Sequence, residues 1–368
     1  MRLNDLGEFG LIDRLAALLP PLPSGVLTGV GDDCAVLDAP GDRALLFAAD
    51  ACIEGTHFFI ETPQIGWKAL VANLSDIAAM GGRPLAALAV LAARPDVDVR
   101  VADLIYEDLA RASAHYSVPV VGGDTVSTSG PLTLAISVLG DVPKGQVLRR
   151  CGAQPGHVLM ATGWLGCALG GLEVYRARRE MWSLAGTIAS QKPPMEYQHR
   201  LAFVTATLLR THRQRPQLGD AVASHRLELE FHEPLAHVAA GRALAESGVV
   251  SAMMDVSDGL AGDASKLASA SGVGICVDAR RIPLCPDLVA CYGTPGAISL
   301  ALQGGEDYAL IFTVPPEHVA HAEEALARID YSAAAIGTVV PEDEGCTFLD
   351  RSGQGHPLAT ADSWDHFR

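Results

Sequence analysis

Apolar runs that stop at glycine and aspartate recur in both halves of this chain, and that punctuation limits the folds open to it. The clusters are Gly31-Asp32-Asp33, Asp50, Asp76, Gly122-Gly123-Asp124, Asp255-Val256-Ser257-Asp258 and Gly304-Gly305-Glu306-Asp307. A short apolar run closed by a turn residue reads as a buried strand, and apolar positions three or four apart read as a helix. Alternation of the two implies an α/β chain. Carboxylates where strands end are free of the ladder and can converge on one cleft, where a hard cation such as Mg2+ neutralises them. The pattern points to a metal-nucleotide site.

In the first half, Ala44 to Ala49 is a strand that ends in Asp50, and 66–80 is a helix with an apolar stripe of Trp67, Leu70, Val71, Leu74 and Ile77. Gly81, Gly82 and Pro84 stop that helix, and Asn73 and Asp76 share another of its faces. Strands are predicted over 84–93, 118–122 and 132–139, with an amphipathic helix over 99–116. The glycines and prolines of 140–156 mark a candidate linker. The second half opens with a strand at 157–161 and a glycine-rich turn at 163–171. Residues 176–230 lack a strand pattern and are predicted as peripheral helices or an excursion. Helices at 235–247 and 258–271, strands at 251–256, 273–278 and 308–314, and a helix running toward Leu302 follow. At about 100 to 200 residues per domain, 368 residues predict two domains. The division expected is 1–145, 146–345 and a tail at 346–368.

Charge narrows the partners. The chain has 27 basic and 43 acidic side chains, a formal net charge of −16, so a nucleic-acid backbone is repelled. Cations held by the acidic side chains can still bind polyphosphate. Its eight cysteines are scattered without a C-x-x-C pair, which predicts reduced thiols, mostly in the core. An uninterrupted apolar run of about 18 residues is absent and Asp5 and Glu8 stand near the start, so no membrane contact and a cytoplasmic location are expected.

Each cluster has a plainer reading. Asp and Gly are ordinary turn and cap residues, Asp258-Gly259 alone could be a turn, Ser257 could cap the helix after it, and Asp76 could be a solvated helical position. His57 could be a packing or hydrogen-bonding histidine. Familiar cradles are missing: no P-loop, Rossmann fingerprint, protein-kinase motif set or G-x-S-x-G elbow occurs. If phosphate is bound, metal and glycine turns bind it.

At these residues the chain resembles the thiamine-monophosphate kinase family, of the superfamily that includes aminoimidazole-ribonucleotide synthetase, selenophosphate synthetase and the hydrogenase-maturation dehydratase. The matching stretches run in order from Gly7-Glu8-Phe9 and Gly31-Asp32-Asp33-Cys34-Ala35-Val36 through Glu54-Gly55-Thr56-His57-Phe58 and 68–81. They continue with Gly122-Gly123-Asp124-Thr125, Arg150, Met254-Asp255-Val256-Ser257-Asp258-Gly259-Leu260, Gly304-Gly305-Glu306-Asp307-Tyr308 and Trp364-Asp365-His366-Phe367. The resemblance implies a two-domain aminoimidazole-ribonucleotide-synthetase-like α/β fold, with an N-terminal domain whose sheets join into a dimeric β-barrel and a C-terminal α/β domain. It implies ATP-dependent phosphorylation of thiamine monophosphate to thiamine diphosphate, with several Mg2+ ions and no phosphoenzyme, by a homodimer. By position, Asp33, Asp50, Asp76, Asp124, Asp255 and Asp258 are the implied Mg2+ ligands, with Asp124, Asp255 and Asp258 closest to the chemistry. Gly123, Arg150 and Ser257 are implied at ATP, and His57, Glu306 and Trp364 at the thiamine phosphate.

The chain departs from the family at three places. Ala48-Ala49 stand where the family has a hydroxyl pair before the aspartate, His157 replaces an aspartate, and 176–230 is an insertion. These departures keep open a catalytically weak binding homologue. A sister synthetase is disfavoured because no Cys precedes Cys34, no Lys precedes Lys68, and the chain ends in Arg368 rather than Cys.

Overall fold

The computed structural model describes residues 2–190 and 220–358. The middle of the expected excursion, 191–219, and Trp364 lie outside the described residues. The first half runs α1 (Leu3–Ala16), β1 (Val26–Thr28), β2 (Ala35–Asp38), β3 (Arg43–Ile53), α2 (Ile65–Ala79), β4 (Arg83–Ala93), α3 (Val99–Tyr116), β5 (Val120–Ser127) and β6 (Thr133–Pro143). The second half runs β7 (Val158–Thr162), α4 (Cys167–Ser190), α5 (Ala221–His232), α6 (Val238–Ser247), β8 (Ala252–Asp255), α7 (Leu260–Ser271), β9 (Gly274–Asp278), α8 (Pro286–Gln303), β10 (Leu310–Val314), α9 (Val319–Ala327), β11 (Ala333–Val340), β12 (Cys346–Leu349) and β13 (Gly355–Pro357).

Among the described residues each half builds one mixed sheet, in the orders β1-β2-β3-β6-β4-β5 and β13-β12-β9-β11-β7-β10-β8. The first sheet is open; no closed barrel forms among the described residues. Its registration is locked at Asp141, a buried carboxylate that accepts from Arg43 Nε at 2.5 Å and Arg83 Nε at 3.1 Å, with a second nitrogen of each guanidinium also bonded. Burial alone would raise this acid, but the two forks hold it below its usual range. Asp141 therefore belongs to β6, and the first four residues of the expected linker are strand.

Helix α2 sits between the halves. One side packs on the first sheet with Leu70, Leu74 and Ile77, while Ala78 and Ala79 join Met253, Leu310 and Phe312 of the second half. A helix enclosed on all sides explains why Asp76 is not the solvated position allowed above: it is the only residue of α2 that is not fully buried, and it is not exposed. Close approach to α6 is possible because Gly241 has no Cβ; one built there would lie 2.1 Å from Ala78 O.

Two strands run further than the apolar pattern predicts. β3 continues through Asp50 to Ile53, and β5 carries Gly122, Gly123 and Asp124 inside the strand rather than in a turn after it. Gly123 is a packing requirement, since a Cβ there would meet Ala89 O of β4 at 1.7 Å. The expected turn at 163–171 is shorter, because Gly170 and Gly171 lie in α4, where Gly171 lets α5 approach to within 1.9 Å of where its Cβ would be. All eight cysteines are free, and Cys34, Cys52, Cys167, Cys285 and Cys291 are buried as expected. No helix among the described residues is long and apolar enough to cross a membrane.

Candidate active site

Three elements converge on a carboxylate cluster. Asp33 comes from the turn before β2, Asp76 from α2 and Asp255 from the last residue of β8, and one oxygen of each lies within 4.8 Å of the others. Ser75 Oγ donates to Asp255 Oδ2 at 2.6 Å, tying α2 to the second half beside the cluster. Arg150, in the segment between the sheets, donates to Asp33 Oδ1 from Nε at 3.1 Å and from a terminal nitrogen at 2.5 Å. The Asp33 side chain is fully buried, and its Oδ2 has no partner among the described residues.

The electrostatics record the crowding. Burial raises all three acids; Asp50 and then Asp255 push Asp76 further up, and Asp33 pushes Asp255. Arg150 offsets part of this, and Asp33, Asp255 and Asp32 hold its guanidinium well above the usual range despite burial. Neighbouring Asp32 is pushed up to about 6 by burial and then by Asp33. One cation among three converging hard oxygens removes such repulsion, and the donor set fits Mg2+.

The other expected residues within the described part of the chain fall in four places. Asp50 borders the cluster, its N–H bonded to Asn73 Oδ1 of α2 at 3.0 Å. Asp258 is turned toward a cation of its own: Lys266 Nζ pairs with Asp258 and lies 2.7 Å from Asp263 Oδ1. Asp263, whose other oxygen accepts the N–H groups of Ser257 and Asp258 at 3.0 Å, thus shapes this turn, so Ser257 is not the cap of α7. Sequence reasoning missed Lys266 and Asp263; their spacing three apart on one face of α7, just after Asp258, was the available signal.

Asp124 lies apart. Across the ladder Asp50 pairs with Ile136, Ile136 with Ala89 and Ala89 with Gly123, so β5 is three strands from β3, about 14 Å. Asp124 pairs with Val90, whose exposed face is opposite the one where Ala48, Ala89 and Ile136 are buried under the helices. Asp50 alternates with Ala48 and Cys52 on that covered face. The two aspartates of one chain therefore point to opposite sides of the sheet. Beside Asp124 an open depression is lined by Gly122, Gly123, Thr125, Val120 and Tyr106 of α3, a flat ring that the apolar pattern did not single out.

His57 and Glu306 meet at Lys68. Lys68 Nζ is 2.7 Å from Glu306 Oε2 and 3.2 Å from the His57 carbonyl oxygen, while His57 Nδ1 accepts the Ile53 N–H. Next to Glu306, Asp307 serves the fold, accepting the Gly166 and Ala168 N–H groups at 2.5 and 3.0 Å at the start of α4. Burial raises Asp307 to about 7.

Comparison with known proteins agrees with this architecture. Residues 31–142 match the AIR synthase related protein N-terminal domain, and residues 204–349 its C-terminal domain. The thiamine-monophosphate kinase of Salmonella typhimurium is 32% identical over 98% of this chain and 98% of that protein, and that of Bacillus subtilis 28% over 90% and 94%. The solved structure of AaThiL complexed with AMPPCP and TMP superposes with a TM-score of 0.76 at 28% identity, covering 100% of this chain and 99% of that one. Hydrogenase maturation protein HypE in complex with ATP shares the fold alone, at 18% identity and a TM-score of 0.61 over 89% and 87%. Fold and matched domains thus define an AIR synthase related protein of α/β class. Within that class, the chain belongs to the thiamine-monophosphate kinase family.

Proposed function

We infer that this chain is a phosphotransferase that moves the γ-phosphoryl group of ATP onto the phosphate of thiamine monophosphate, releasing thiamine diphosphate and ADP. One observation carries the reading: the cluster of Asp33, Asp76 and Asp255, whose oxygens lie within 4.8 Å of one another, in a chain related over nearly its full length to such kinases. Mg2+ bound by these carboxylates supplies charge neutralisation between two anionic reactants. The chain's own residues bind and orient. Asp33, Asp50, Asp76, Asp124, Asp255 and Asp258 form the proposed ligand set, with Asp124, Asp255 and Asp258 nearest the transfer. Gly123, Arg150 and Ser257 serve ATP, and Tyr106 offers a ring for its base. His57, Glu306 and Trp364 serve the acceptor. An acceptor phosphate is already ionised, so no strong general base is needed.

The reading includes a homodimer built on the first sheet. Support comes from its uncovered face, where Phe47, Leu88 and Val90 are exposed large apolar side chains, and from Asp124, which one chain leaves about three strand spacings from Asp50. A second copy packed on that face would close the sheets into a barrel and bring each Asp124 to the boundary between the subunits. The division into 1–145, 146–345 and a tail belongs to the same reading, as does a cytoplasmic location, supported by the free thiols. The test is direct: folded protein with Mg2+, ATP and thiamine monophosphate yields thiamine diphosphate by chromatography. Absence of that product from folded protein overturns the reading.

A further inference from the structure

One buried cation, Lys68, joins the two proposed acceptor contacts, His57 and Glu306. Lys68 stands on α2 and is only 4% exposed. Its ammonium donates one N–H to Glu306 Oε2 and another to the His57 carbonyl oxygen, at 2.7 and 3.2 Å, and the face of Phe231 from α5 covers it at 3.7 Å from the ring centroid. Three donor directions are thus taken, and none is left for a phosphate.

Glu306 is equally constrained. It sits at φ 68, where a residue other than glycine is uncommon, and its N–H donates to Ser257 O at 2.9 Å. A Cβ on preceding Gly305 would meet that same carbonyl oxygen at 2.3 Å, so the turn is pressed against the loop after β8. Lys68 occupies one carboxylate oxygen. The other, Oε1, is buried without a partner among the described residues, and so is Nδ1 of His232 on α5. Burial and then the Lys68 charge hold His232 down at about 4, so its ring is neutral at pH 7. Two unsatisfied polar atoms around one buried ammonium mark a place where a ligand supplies hydrogen-bonding groups.

We propose that Lys68 is a positioning residue for the acceptor: it fixes the Glu306 carboxylate and the His57 loop together and reserves Glu306 Oε1 for an N–H donor on the heterocycle of the substrate. The inference rests on the phosphotransfer reading and deepens it. Phe231 belongs to α5 and lies just past the expected insertion, so this helix takes part in holding the acceptor side.

The test compares Lys68→Met and Lys68→Arg with the parent enzyme, reading KM for each substrate and equilibrium binding of thiamine monophosphate without ATP. Lys68→Met should raise the acceptor KM and dissociation constant about 30-fold, leaving KM for ATP within about 2-fold. Lys68→Arg, which keeps the charge but not the compact donor set, should raise them about 3-fold. Adding Glu306→Gln to Lys68→Met should cost little more than the worse single change, because both break one unit. An unchanged acceptor KM in the folded variants, or equal losses for both substrates, overturns the proposal. If Lys68→Met does not fold, Lys68→Arg decides by the same split. A parent enzyme without turnover would instead overturn the phosphotransfer reading.

Discussion

The buried cluster at α2 and the exposed edge at β5 carry the same side chain in opposite situations. Asp33, Asp76 and Asp255 are brought together by one chain, crowded and raised by burial. Asp124 stands on an edge strand in solvent, its Oδ1 accepting the N–H of adjacent Thr125 at 2.8 Å. Folding of one chain assembles the first group of carboxylates, whereas it leaves Asp124 apart from them. A carboxylate cluster that repels itself in the free protein destabilises the fold, and binding a cation relieves that strain.

The largest expected effects break this comparison. Asp255→Asn and Asp124→Asn should each lower kcat by about 1,000-fold or more. They should separate in metal-free thermal melts: Asp255→Asn relieves buried repulsion and raises the melting temperature, while Asp124→Asn leaves the melt unchanged. If Asp124 serves the neighbouring subunit, mixing the two inactive variants and letting subunits exchange should restore about a quarter of parental activity, since half the dimers are mixed and each has one intact site. No recovery after verified exchange would place Asp124 in the site of its own chain.

A smaller effect follows from Asp307. Its folded-state value of about 7 lies above the ordinary 3.8, so the folded protein keeps a proton that the unfolded chain releases. The resulting stability is complete below about pH 4 and lost as the pH rises through about 7, at most about 4 kcal/mol. Asp307→Asn cannot titrate. Denaturant unfolding of the two proteins across this range should show the parent losing stability relative to the variant, and parallel curves would refute the assignment.

The smallest effect concerns the missing hydroxyls. Ala48 is 5% exposed on the helix-covered face with Asp50, whereas Ala49 lies on the uncovered face with Val90 and Asp124. Ala48→Ser and Ala49→Thr should each raise the rate at limiting Mg2+ by about 2- to 3-fold, and their effects should multiply because the faces are separate. A Mg2+ titration of the rate checks this. No gain from either would remove the alanine pair as a cause of weak metal binding.

Elements with strong periodicity are legible in the sequence alone. Helix α3 runs over 99–116 as its amphipathic spacing predicts, and the 66–80 pattern places α2 to within a residue at each end. The aspartates were legible too, because acidic residues beside glycine after apolar runs stand out in the order of residues alone. Strand ends were less so: Asp50 and Gly122-Gly123-Asp124 read as boundaries, yet backbone pairing with β6 and β4 carries the strands through them. Ladder hydrogen bonds are indifferent to side-chain polarity, so the apolar pattern cannot show where pairing stops.

Which aspartates meet is a matter of packing. Residues 33, 76 and 255 are far apart in the chain, and their oxygens converge because α2 is enclosed by both sheets. Asp258 looks like their equal in sequence but is taken by Lys266, and Asp124 is turned to the other face by the two-residue alternation of a strand. Lys68 was hidden in the same way, because its partners come from three segments that no local pattern connects. Chemistry at a site depends on distances of a few ångströms, and those are fixed by contacts between elements rather than by the order of residues within them.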